Sequence, residues 1–317
     1  MPKKKIVVIG GGNGSAIAIV ALKHNLERFS ISSIVSMSDS NGSSGRLRRE
    51  FKTLPPGDIM RAVLAMSIYD YPVLKDIFYR PRFKNAGKLD SHNLGNLFLT
   101  LSAKYCGSFL KSVEALSQSI KAVGQVYPAT LKQTDLTAEL TNGDVIRTEA
   151  FIDVPAYNRG LKIKKVWLEP KTKAYAPALK AIQKADYIIL SPGSLYTSLI
   201  AALLPVGIKA ALAKSEAKLI YTIGNAYHTH GETGPEKLSD FVKQLERYLP
   251  RPLDLVIYNN HRLSLTQKKK YKERGWAVFV KDTKNLSGHR VMGADFERDE
   301  GGLCSIRLGK ILKKVLK

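Results

Sequence analysis

The chain has 317 residues, 44% of them hydrophobic, and its 50 Lys and Arg against 27 Asp and Glu give a formal net charge of +23. This length supports a packed core in one large domain or two smaller ones, and no apolar run is long enough to span a bilayer. Two distant cysteines, Cys106 and Cys304, exclude a disulfide framework and a cysteine metal cluster, and they predict reduced thiols in a cytoplasmic protein.

The positive charge is spread along the whole chain, in runs such as PKKK, RLRRE, KIKK and QKKKYK. A protein of this charge attracts polyanions, whether nucleic acid, a membrane surface or nucleotides. The sequence has no zinc-finger, RRM or KH signature. Because a diffuse excess is more often a property of the host's proteome, we expect no specific nucleic-acid partner.

Apolar strands alternate with helices through most of the chain, starting with MPKKKIVVIGGG, where the short apolar run favours a strand over a signal peptide. The predicted buried strands are KKIVVIG, ISSIVSMS ending at Asp39, DYIILS, AKLIYTIGN, LDLVIYNN and GWAVFV. SAIAIVALKHNL and LYTSLIAALL are predicted as helices. The alternation predicts an α/β fold whose mainly parallel sheet is covered by helices on both faces.

Two segments interrupt this alternation. Residues 58–123 are predicted to be mostly helical, with Asp58 as the N-cap of IMRAVLAMSIYD after Pro55 and Pro56. Residues from about 125 to 166 include LTAELTNGDVIRTEAFI, in which the dipeptide Asn-Gly at 142–143 predicts a tight hairpin turn. We therefore expect a single domain over 1–317 that carries a helical segment and an antiparallel β insert.

Three turns that follow predicted strands are candidates for binding phosphate. In IGGGNGS, the glycines from Gly10 let a ligand approach the backbone, and the following helix presents free N–H groups. The dinucleotide pattern Gly-x-Gly-x-x-Gly fails at Ser15, so a nicotinamide cofactor is disfavoured and a tight packing turn stays an alternative. SPGSLYTS, from Ser191 to Ser198, and Asn225 follow two further strands. In a parallel sheet these turns converge on one cleft, which favours a nucleotide or phosphate site.

The stretch DSNGSSGRLRREFKTLPPGD, from Asp39 to Asp58, combines a Gly/Ser loop, three arginines and a turn. A small, flexible and cationic loop suits an anionic ligand. Asp39 and Asp58 are its candidate acids, and Asp39 is the candidate catalytic or metal-binding residue if there is one. The sequence contains no P-loop, Gly-x-Ser-x-Gly elbow or Cys-His nucleophile pattern.

Two further polar clusters remain ambiguous on the sequence alone. In SHNLGNLFL, His92 and Asn96 precede an apolar helix, and Asn96 either orients a base or sugar or caps the helix. In YHTHGETG, His228 and His230 could face one metal ion from a strand. A third ligand at useful spacing is missing, which disfavours the metal.

The motifs VVIGGGNG, GSSGRLRREF, LPPGD, GNLFL, LSPGSLYTSLI and GETG occur in the same order as in the YvcK proteins. The chain therefore resembles this bacterial family, also called gluconeogenesis factors or UPF0052, within the CofD-like superfamily. The resemblance extends from the first strand to at least Gly234. It implies a Rossmann-like three-layer αβα fold with a cleft for a nucleotide-bearing ligand.

The resemblance also implies a function. YvcK relatives bind UDP-activated sugars such as UDP-N-acetylglucosamine and support cell shape and wall synthesis during gluconeogenic growth, which favours a binding or regulatory protein over an enzyme. The alternative is a phosphotransferase like those of the CofD branch, which move a lactyl-phosphate unit from a guanosine diphosphate donor to a deazaflavin with a divalent metal such as Mg²⁺. A homo-oligomer stays open.

Residues that match the family's motifs, or stand at their positions, are the expected nucleotide- and phosphate-binding set. They are Gly10, Gly11, Gly12, Asn13, Gly14, Asp39, Gly42, Ser43, Ser44, Gly45, Arg46, Asp58, His92, Asn96, Ser191, Gly193, Ser194, Tyr196, Thr197, Asn225, Glu232 and Thr233. Ser40 replaces the family's usual second acid, and Asn41 replaces a glycine. Because divalent cations favour carboxylates, losing that acid argues against a metal-dependent transferase.

These matches predict a role for each part of the site. Backbone N–H groups of the 10–14 and 191–194 turns are expected to hold phosphates. Arg46 is expected to neutralise diphosphate charge, since a guanidinium forks onto phosphate oxygens. Asn96 and Asn225 are expected to recognise the base or the ribose.

Overall fold

The computed structural model describes residues 2–317, and within this range the chain forms twelve strands and thirteen α-helices. In chain order the strands are β1 Lys4–Gly10, β2 Phe29–Val35, β3 Gln125–Pro128, β4 Asp135–Leu140, β5 Val145–Arg147, β6 Ile163–Glu169, β7 Tyr187–Leu190, β8 Lys218–Ile223, β9 Ala226–His228, β10 Leu255–Asn259, β11 Trp276–Val278 and β12 Val291–Ala294.

The helices cover both faces of the central sheet and build most of the segment between β2 and β3. In chain order they are α1 Gly12–Lys23, α2 Gly42–Phe51, α3 Gly57–Met66, α4 Tyr71–Phe78, α5 Leu94–Cys106, α6 Phe109–Ser119, α7 Glu149–Asp153, α8 Ala176–Gln183, α9 Ala201–Leu203, α10 Ile208–Lys214, α11 Leu238–Glu246, α12 Leu265–Glu273 and α13 Ser305–Val315. A π-helical turn, Leu195–Ile200, leads directly into α9.

Seven strands form one sheet in the spatial order β12-β10-β8-β7-β1-β2-β3, and every neighbouring pair is parallel. Alternate side chains of β1 enter two different apolar clusters: Val7 and Ile9 join one, and Ile6 and Val8 join the other. The sheet is thus buried on both sides, which confirms the predicted three-layer α/β fold. Within the described range, no helix is long and apolar enough to cross a bilayer.

The strand order reverses between β1 and β7. From β1 the chain builds outward to β2 and β3, and it then returns to the other side of β1 to add β7, β8, β10 and β12. Helices that leave adjacent strands toward opposite faces open a crevice at such a reversal, beyond the carboxyl ends of the strands. The crevice therefore lies where the first two glycine turns follow β1 and β7.

A small antiparallel sheet, in the order β5-β4-β6, packs on one face of this core. The Asn-Gly turn at 142–143 connects β4 to β5, and Gly143 has a φ of +94°, which a glycine adopts without strain. Leu136, Leu140 and Val166 bury their side chains in the apolar cluster shared with the central sheet. β3 belongs to the central sheet, so the small sheet itself spans Asp135–Glu169.

Two strand predictions are corrected by the pairing. The segment GWAVFV does not enter the parallel sheet, because Trp276–Val278 pairs antiparallel with Ala226–His228 and remains partly exposed. The last parallel strand is Val291–Ala294, whose four residues and internal glycine gave no strand signal. The second strand ends at Val35, so Asp39 lies four residues beyond it.

The helix predicted after the double proline is also shifted. Its N-cap is Pro56, and Asp58 lies in its first turn with the side chain paired to Arg61. The helix ends at Met66, and a new helix begins after Asp70, whose carboxylate accepts the Val73 N–H at 3.1 Å. The prediction of Asp58 as the N-cap is therefore wrong, and its carboxylate lines the crevice instead.

A polar cleft at the strand reversal

A cleft of about 890 Å³ opens beyond the carboxyl ends of β1 and β7, where the strand order reverses. Its size lies within the range of small-molecule sites. The walls come from the first two glycine turns, the helical segment before β3, helix α7 of the small sheet, and the last third of the chain. The cleft thus collects residues from segments that are far apart in sequence.

The two glycine turns are in close contact. A Cβ on Gly14 would stand 1.8 Å from the Pro192 carbonyl oxygen, and one on Gly10 would stand 2.1 Å from the Ser191 Oγ. Gly193 has a φ of +137°, which side-chain-bearing residues avoid. The glycines therefore bring the ends of β1 and β7 together, as the convergence of the turns predicted.

Helix α1 begins at the cleft without a side-chain cap. Gly11 occupies its N-cap position, and no side chain within residues 2–317 bonds to its first N–H groups. The positive end of the helix dipole lies at the N–H groups of Gly12, Asn13 and Gly14, and all three residues line the cleft. Such an end suits the negative charge of a phosphate.

The Gly/Ser stretch after Asp39 is a helix and not a flexible loop. Asn41 caps α2, since its Oδ1 accepts the Gly42 N–H at 2.7 Å. Gly45 is needed for close packing, because a Cβ there would stand 1.9 Å from the Ser40 carbonyl oxygen. Small residues in this motif allow the helix to begin in close contact with the chain beside the cleft. The flexible loop that the composition predicted is therefore wrong.

The arginines of RLRRE point away from the cleft. Arg46 donates to the carbonyls of Asp90, at 2.7 Å, and Lys88, at 3.1 Å, and Arg48 pairs with Asp135 at 2.8 Å. Arg49 is exposed. These side chains tie α2 to neighbouring segments, and Arg46 does not line the cleft.

The cationic groups that line the cleft come from other segments. Arg61 pairs with Asp58 at 3.2 Å and lies over the Tyr79 ring, 4.6 Å from its centroid. Lys75, Arg82 and Arg298 also line the cleft. These residues sit in helices or turns without a recognisable motif, so no sequence pattern predicted them. The one local signal was the spacing from Asp58 to Arg61.

Four carboxylates form an acidic wall of the cleft beside Arg61, from Asp39, Asp58, Glu149 and Asp153. Burial raises the pKa of Asp39, and the neighbouring Asp58 charge raises it further. Burial also raises the pKa of Glu149, with the Asp39 charge acting in the same direction. Glu149 and Asp153 belong to α7, so their approach to Asp39 and Asp58 depends on how the small sheet packs. No local sequence motif predicts this packing.

Ser40 connects this acidic wall to the small sheet. Its N–H donates to the Glu149 Oε2 at 3.1 Å, and its Oγ accepts the Ala150 N–H at 2.9 Å. Thr148, just before Glu149, has a φ of +72°, a strained conformation for a β-branched residue. The residue that replaces the family's second acid therefore positions another carboxylate beside Asp39.

These oxygen donors suit a hard divalent cation, although they do not form a complete cage. Within residues 2–317, no group of three or more His, Cys, Asp or Glu is arranged to hold a metal ion. Mg²⁺ commonly binds one or two carboxylates and takes its remaining ligands from substrate phosphates and water. Asp39 and Asp58, two carboxylates in one wall, fit that mode. The rings of His228 and His230 are 6.1 Å apart between centroids.

Glu232 closes the helix start at the second glycine turn. Its carboxylate accepts the backbone N–H groups of Leu195, Tyr196 and Thr197, at 2.5, 3.1 and 2.9 Å. Burial raises the Glu232 pKa to about 7, against the lowering effect of these hydrogen bonds. The N–H groups that follow SPGS are thus already bonded to a carboxylate of the chain itself, whereas the first N–H groups of α1 have no side-chain cap.

Most residues expected at the site do line the cleft. They are Gly11, Gly12, Asn13, Gly14, Asp39, Gly42, Ser43, Ser44, Asp58, Asn96, Gly193, Ser194, Thr197, Asn225 and Glu232. Those that stand behind its walls are Gly10, Gly45, Arg46, His92, Ser191, Tyr196 and Thr233. Two of the latter support the wall: the Tyr196 hydroxyl donates to the Ile163 carbonyl at 3.3 Å, and Thr233 bonds to the Tyr157 hydroxyl at 3.0 Å.

Asn96 and Asn225 each present a buried amide oxygen at the cleft. The Asn96 Nδ2 donates to the Ser43 Oγ at 2.9 Å, and the Asn225 Nδ2 donates to the His261 carbonyl at 3.2 Å. Their Oδ1 atoms have no hydrogen-bond partner within the described chain. Buried polar atoms are rarely left unpaired, so both oxygens suit donors of a bound ligand.

An aromatic wall borders Asn225 in the cleft. Tyr271 and Trp276 pack edge to face with centroids 5.2 Å apart, and the Tyr271 hydroxyl donates to the Glu297 Oε1 at 2.6 Å. All three residues line the cleft. They come from α12, β11 and the segment after β12, for which the sequence gave no site prediction.

The fold and the cleft define a Rossmann-like α/β protein with a polar site at its strand reversal. The chain matches the family of 2-phospho-L-lactate transferase CofD over residues 6–297. It thus belongs to the CofD family, and within it to the YvcK or UPF0052 group, as its relatives show.

Two of the curated relatives named gluconeogenesis factor match most of this chain. One, from Halalkalibacterium halodurans, is 37% identical over 287 residues, which cover 90% of this chain and 86% of the relative. The other, from Bacillus subtilis, is 35% identical over 300 residues, which cover 94% and 91%. The crystal structure of protein BH3568 from Bacillus halodurans, described as a UPF0052 member, superposes with a TM-score of 0.89 at 33% identity over the full length of both chains.

Proposed function

We propose that this chain is a regulatory protein of the gluconeogenesis-factor type whose cleft binds a nucleotide-sugar, with UDP-N-acetylglucosamine as the leading candidate. In this proposal, ligand binding supports cell morphogenesis and wall synthesis during gluconeogenic growth. One observation carries it: the uncapped start of α1 and the Arg61 guanidinium face one cleft of nucleotide-sugar size. Together they offer a diphosphate both helix-end N–H groups and a fixed cation.

Different residues of the cleft suit different parts of such a ligand. The phosphates would lie at Gly12–Gly14 and Arg61, with Lys75 adding positive charge. The unpaired Oδ1 of Asn225 would accept an N–H of the base beside the Tyr271 and Trp276 rings. The Oδ1 of Asn96 would accept a sugar hydroxyl or amide N–H.

A divalent cation is compatible with this arrangement. Asp39 and Asp58 would hold it from the acidic wall. The chemistry that such an ion supplies is neutralisation of diphosphate charge. The chain's own contribution is to keep Asp39 beside Asp58, whose charge adds to burial in raising the pKa of Asp39.

A thermal-shift panel of nucleotides and nucleotide-sugars, with and without Mg²⁺, tests the proposal. At a hundredfold excess over Kd, a ligand that binds only the folded state adds about 2.7 kcal/mol to the free energy of unfolding. UDP-sugars should raise the Tm by about 5–10 °C, and adenine nucleotides should not. A panel in which no uridine nucleotide shifts the Tm would refute the proposal.

The second candidate is a CofD-like phosphotransferase, which the family match and the Asp39–Asp58 pair favour. In that reaction an acceptor hydroxyl attacks the phosphorus distal to the nucleoside in a nucleoside-diphosphate-linked donor. The bond from that phosphorus to the bridging oxygen breaks, the nucleoside monophosphate leaves with this oxygen, and the hydroxyl proton passes to solvent. Chromatographic detection of uridine or guanosine monophosphate, released with Mg²⁺ and lost in Asp39→Asn, would establish it. Saturable binding without any released monophosphate would leave the binding protein as the function.

A further inference from the structure

We propose that Arg46 and His92 are positioning residues that fix the Ser43 hydroxyl as a hydrogen-bond donor to an anionic oxygen of the ligand. Ser43 lines the cleft at the start of α2, whereas Arg46 and His92 stand behind it. The inference deepens the proposed function, because the anionic oxygen belongs to the phosphates assigned to this cleft.

The direction of the chain of hydrogen bonds is set by Arg46. Its Nη1 donates to the Asp90 carbonyl at 2.7 Å, and its Nη2 lies 2.8 Å from the His92 Nε2. A guanidinium has five N–H donors and no acceptor, and it remains charged at every physiological pH. The His92 Nε2 must therefore accept, which means that it carries no proton.

The imidazole hydrogen consequently sits on Nδ1. That nitrogen lies 2.7 Å from the Ser43 Oγ and donates to it. Burial lowers the His92 pKa, and the Arg46 and Arg82 charges lower it further against the opposing effect of Glu50. The neutral Nδ1–H form is thus the one compatible with the geometry.

The Ser43 oxygen then has both lone pairs engaged. It accepts from the His92 Nδ1 and from the Asn96 Nδ2, the latter at 2.9 Å. A serine hydroxyl has two acceptor sites and one hydrogen, so only the hydrogen remains. No hydrogen bond within residues 2–317 takes that hydrogen.

An anionic ligand oxygen completes the arrangement. Ser43 is 6% exposed, and that remaining surface faces the cleft. A hydroxyl donating to a phosphate oxygen forms a charge-assisted hydrogen bond, stronger than one between neutral partners. The motif arginine therefore acts on the ligand through His92 and Ser43.

Nuclear magnetic resonance of the free protein tests the hydrogen-bond direction first. Long-range ¹H–¹⁵N correlations of ¹⁵N-histidine protein, with His92 assigned by its loss in His92→Phe, should show a protonated Nδ1 and an unprotonated Nε2 from pH 6 to 8. A protonated Nε2 at His92, or a charged ring in this range, would overturn the proposal without any ligand being present.

A double-mutant cycle on UDP-N-acetylglucosamine affinity then tests the action through Ser43. Ser43→Ala and His92→Phe should each weaken binding about tenfold, as the loss of one charge-assisted hydrogen bond does. His92→Phe in the Ser43→Ala background should cost less than twofold more. His92→Asn, whose Nδ2–H stands near the position of Nδ1, should recover most of the affinity.

Arg49→Gln, an exposed change on the same helix, is the matched control and should bind as the wild type does. Thermal melting of each variant checks that it is folded. A full tenfold loss from His92→Phe in the Ser43→Ala background would show that His92 acts by another route. If the wild type binds no nucleotide, the proposed function fails, and the His92 tautomer still decides the positioning role.

Discussion

The sequence predicted that Arg46 contacts the ligand phosphates, but the arginine that lines the cleft is Arg61. Arg46 belongs to a recognisable motif but bonds to backbone carbonyls and His92 outside the cleft. Arg61 belongs to no motif, yet it lines the cleft with Asp58 at 3.2 Å and Tyr79 beneath it. We therefore propose Arg61, and not Arg46, as the phosphate contact.

Replacing Arg61 with Gln should weaken UDP-sugar binding by about ten- to a hundredfold. A hydrogen bond to a charged group contributes about 1.5–3 kcal/mol, and the glutamine removes the positive charge. Calorimetric titration measures the affinity, with Arg49→Gln as the control for a general loss of positive charge. An unchanged Kd in Arg61→Gln would show that the phosphates lie elsewhere.

Thr148 stores backbone strain next to the acidic wall, because its φ of +72° forces a β-branched side chain into a region that suits glycine. Thr148→Gly should therefore raise the free energy of unfolding by about 1 kcal/mol. Thr148→Ala keeps the Cβ and should gain much less. Urea titrations of the three proteins measure the difference, and a destabilised Thr148→Gly would contradict the strained conformation.

At the scale of elements, α2 shows how composition can mislead. Gly42, Ser43, Ser44 and Gly45 predicted a flexible loop, but Asn41 caps a helix whose first turn packs against the Ser40 backbone. The glycine serves close contact and not mobility. The helix then aims Ser43 at the cleft and its arginines at neighbouring segments.

Gly45→Ala should accordingly destabilise the fold by about 1–3 kcal/mol, the cost of inserting a methyl group into a filled space. The new Cβ would stand 1.9 Å from a backbone oxygen, which cannot swing away as a side chain can. Gly288→Ala is the control, since nothing lies within 4 Å of its Cβ position. Equal unfolding free energies for wild type and Gly45→Ala would favour the flexible loop.

The acidic wall links α7 to the pH dependence of stability. Burial and the Asp39 charge raise the Glu149 pKa to about 9, whereas in the unfolded chain it titrates near 4.5. Between these values the folded state binds the extra proton, so the free energy of unfolding falls as pH rises from about 5 to 9. The same sign holds for Asp39 over a narrower range, up to about 6.

Glu149→Gln should flatten this decline, because glutamine does not titrate. The Tm of the variant relative to that of the wild type should increase between pH 5.5 and pH 8.5. The increase should be about 2–4 °C for each kcal/mol by which the substitution reduces the loss of unfolding free energy. Scanning calorimetry at several pH values measures it, with the exposed Glu216→Gln as the control. A constant Tm difference across the range would mean that Glu149 titrates normally.

At the scale of the whole molecule, the sequence predicted the core better than the cleft. Strands such as KKIVVIG are local apolar runs that end in glycine, so the parallel sheet and its first two turns could be predicted from neighbouring residues. Arg61, Glu149 and Trp276 reach the cleft only because α3, α7 and β11 pack around it. That packing joins residues up to about two hundred positions apart, which no local pattern encodes.

With a net charge of +23, the chain attracts anions both at a specific site and diffusely over its surface. The two kinds of binding differ in how strongly salt weakens them. Attraction of nucleic acid to scattered lysines falls steeply with salt, because each neutralised phosphate releases counterions. A ligand enclosed by Arg61, Asn96 and Asn225 gains from fixed hydrogen bonds that salt screens much less.

Isothermal titration of the wild-type protein with UDP-N-acetylglucosamine, at low and at moderate salt, tests whether the cleft is a specific nucleotide-sugar site. We expect saturable binding at one site per chain, with an affinity that largely survives the added salt and exceeds the affinity for a GDP-linked sugar. Absence of heat and of saturation, or binding that disappears with salt as it would for any polyanion, would contradict it.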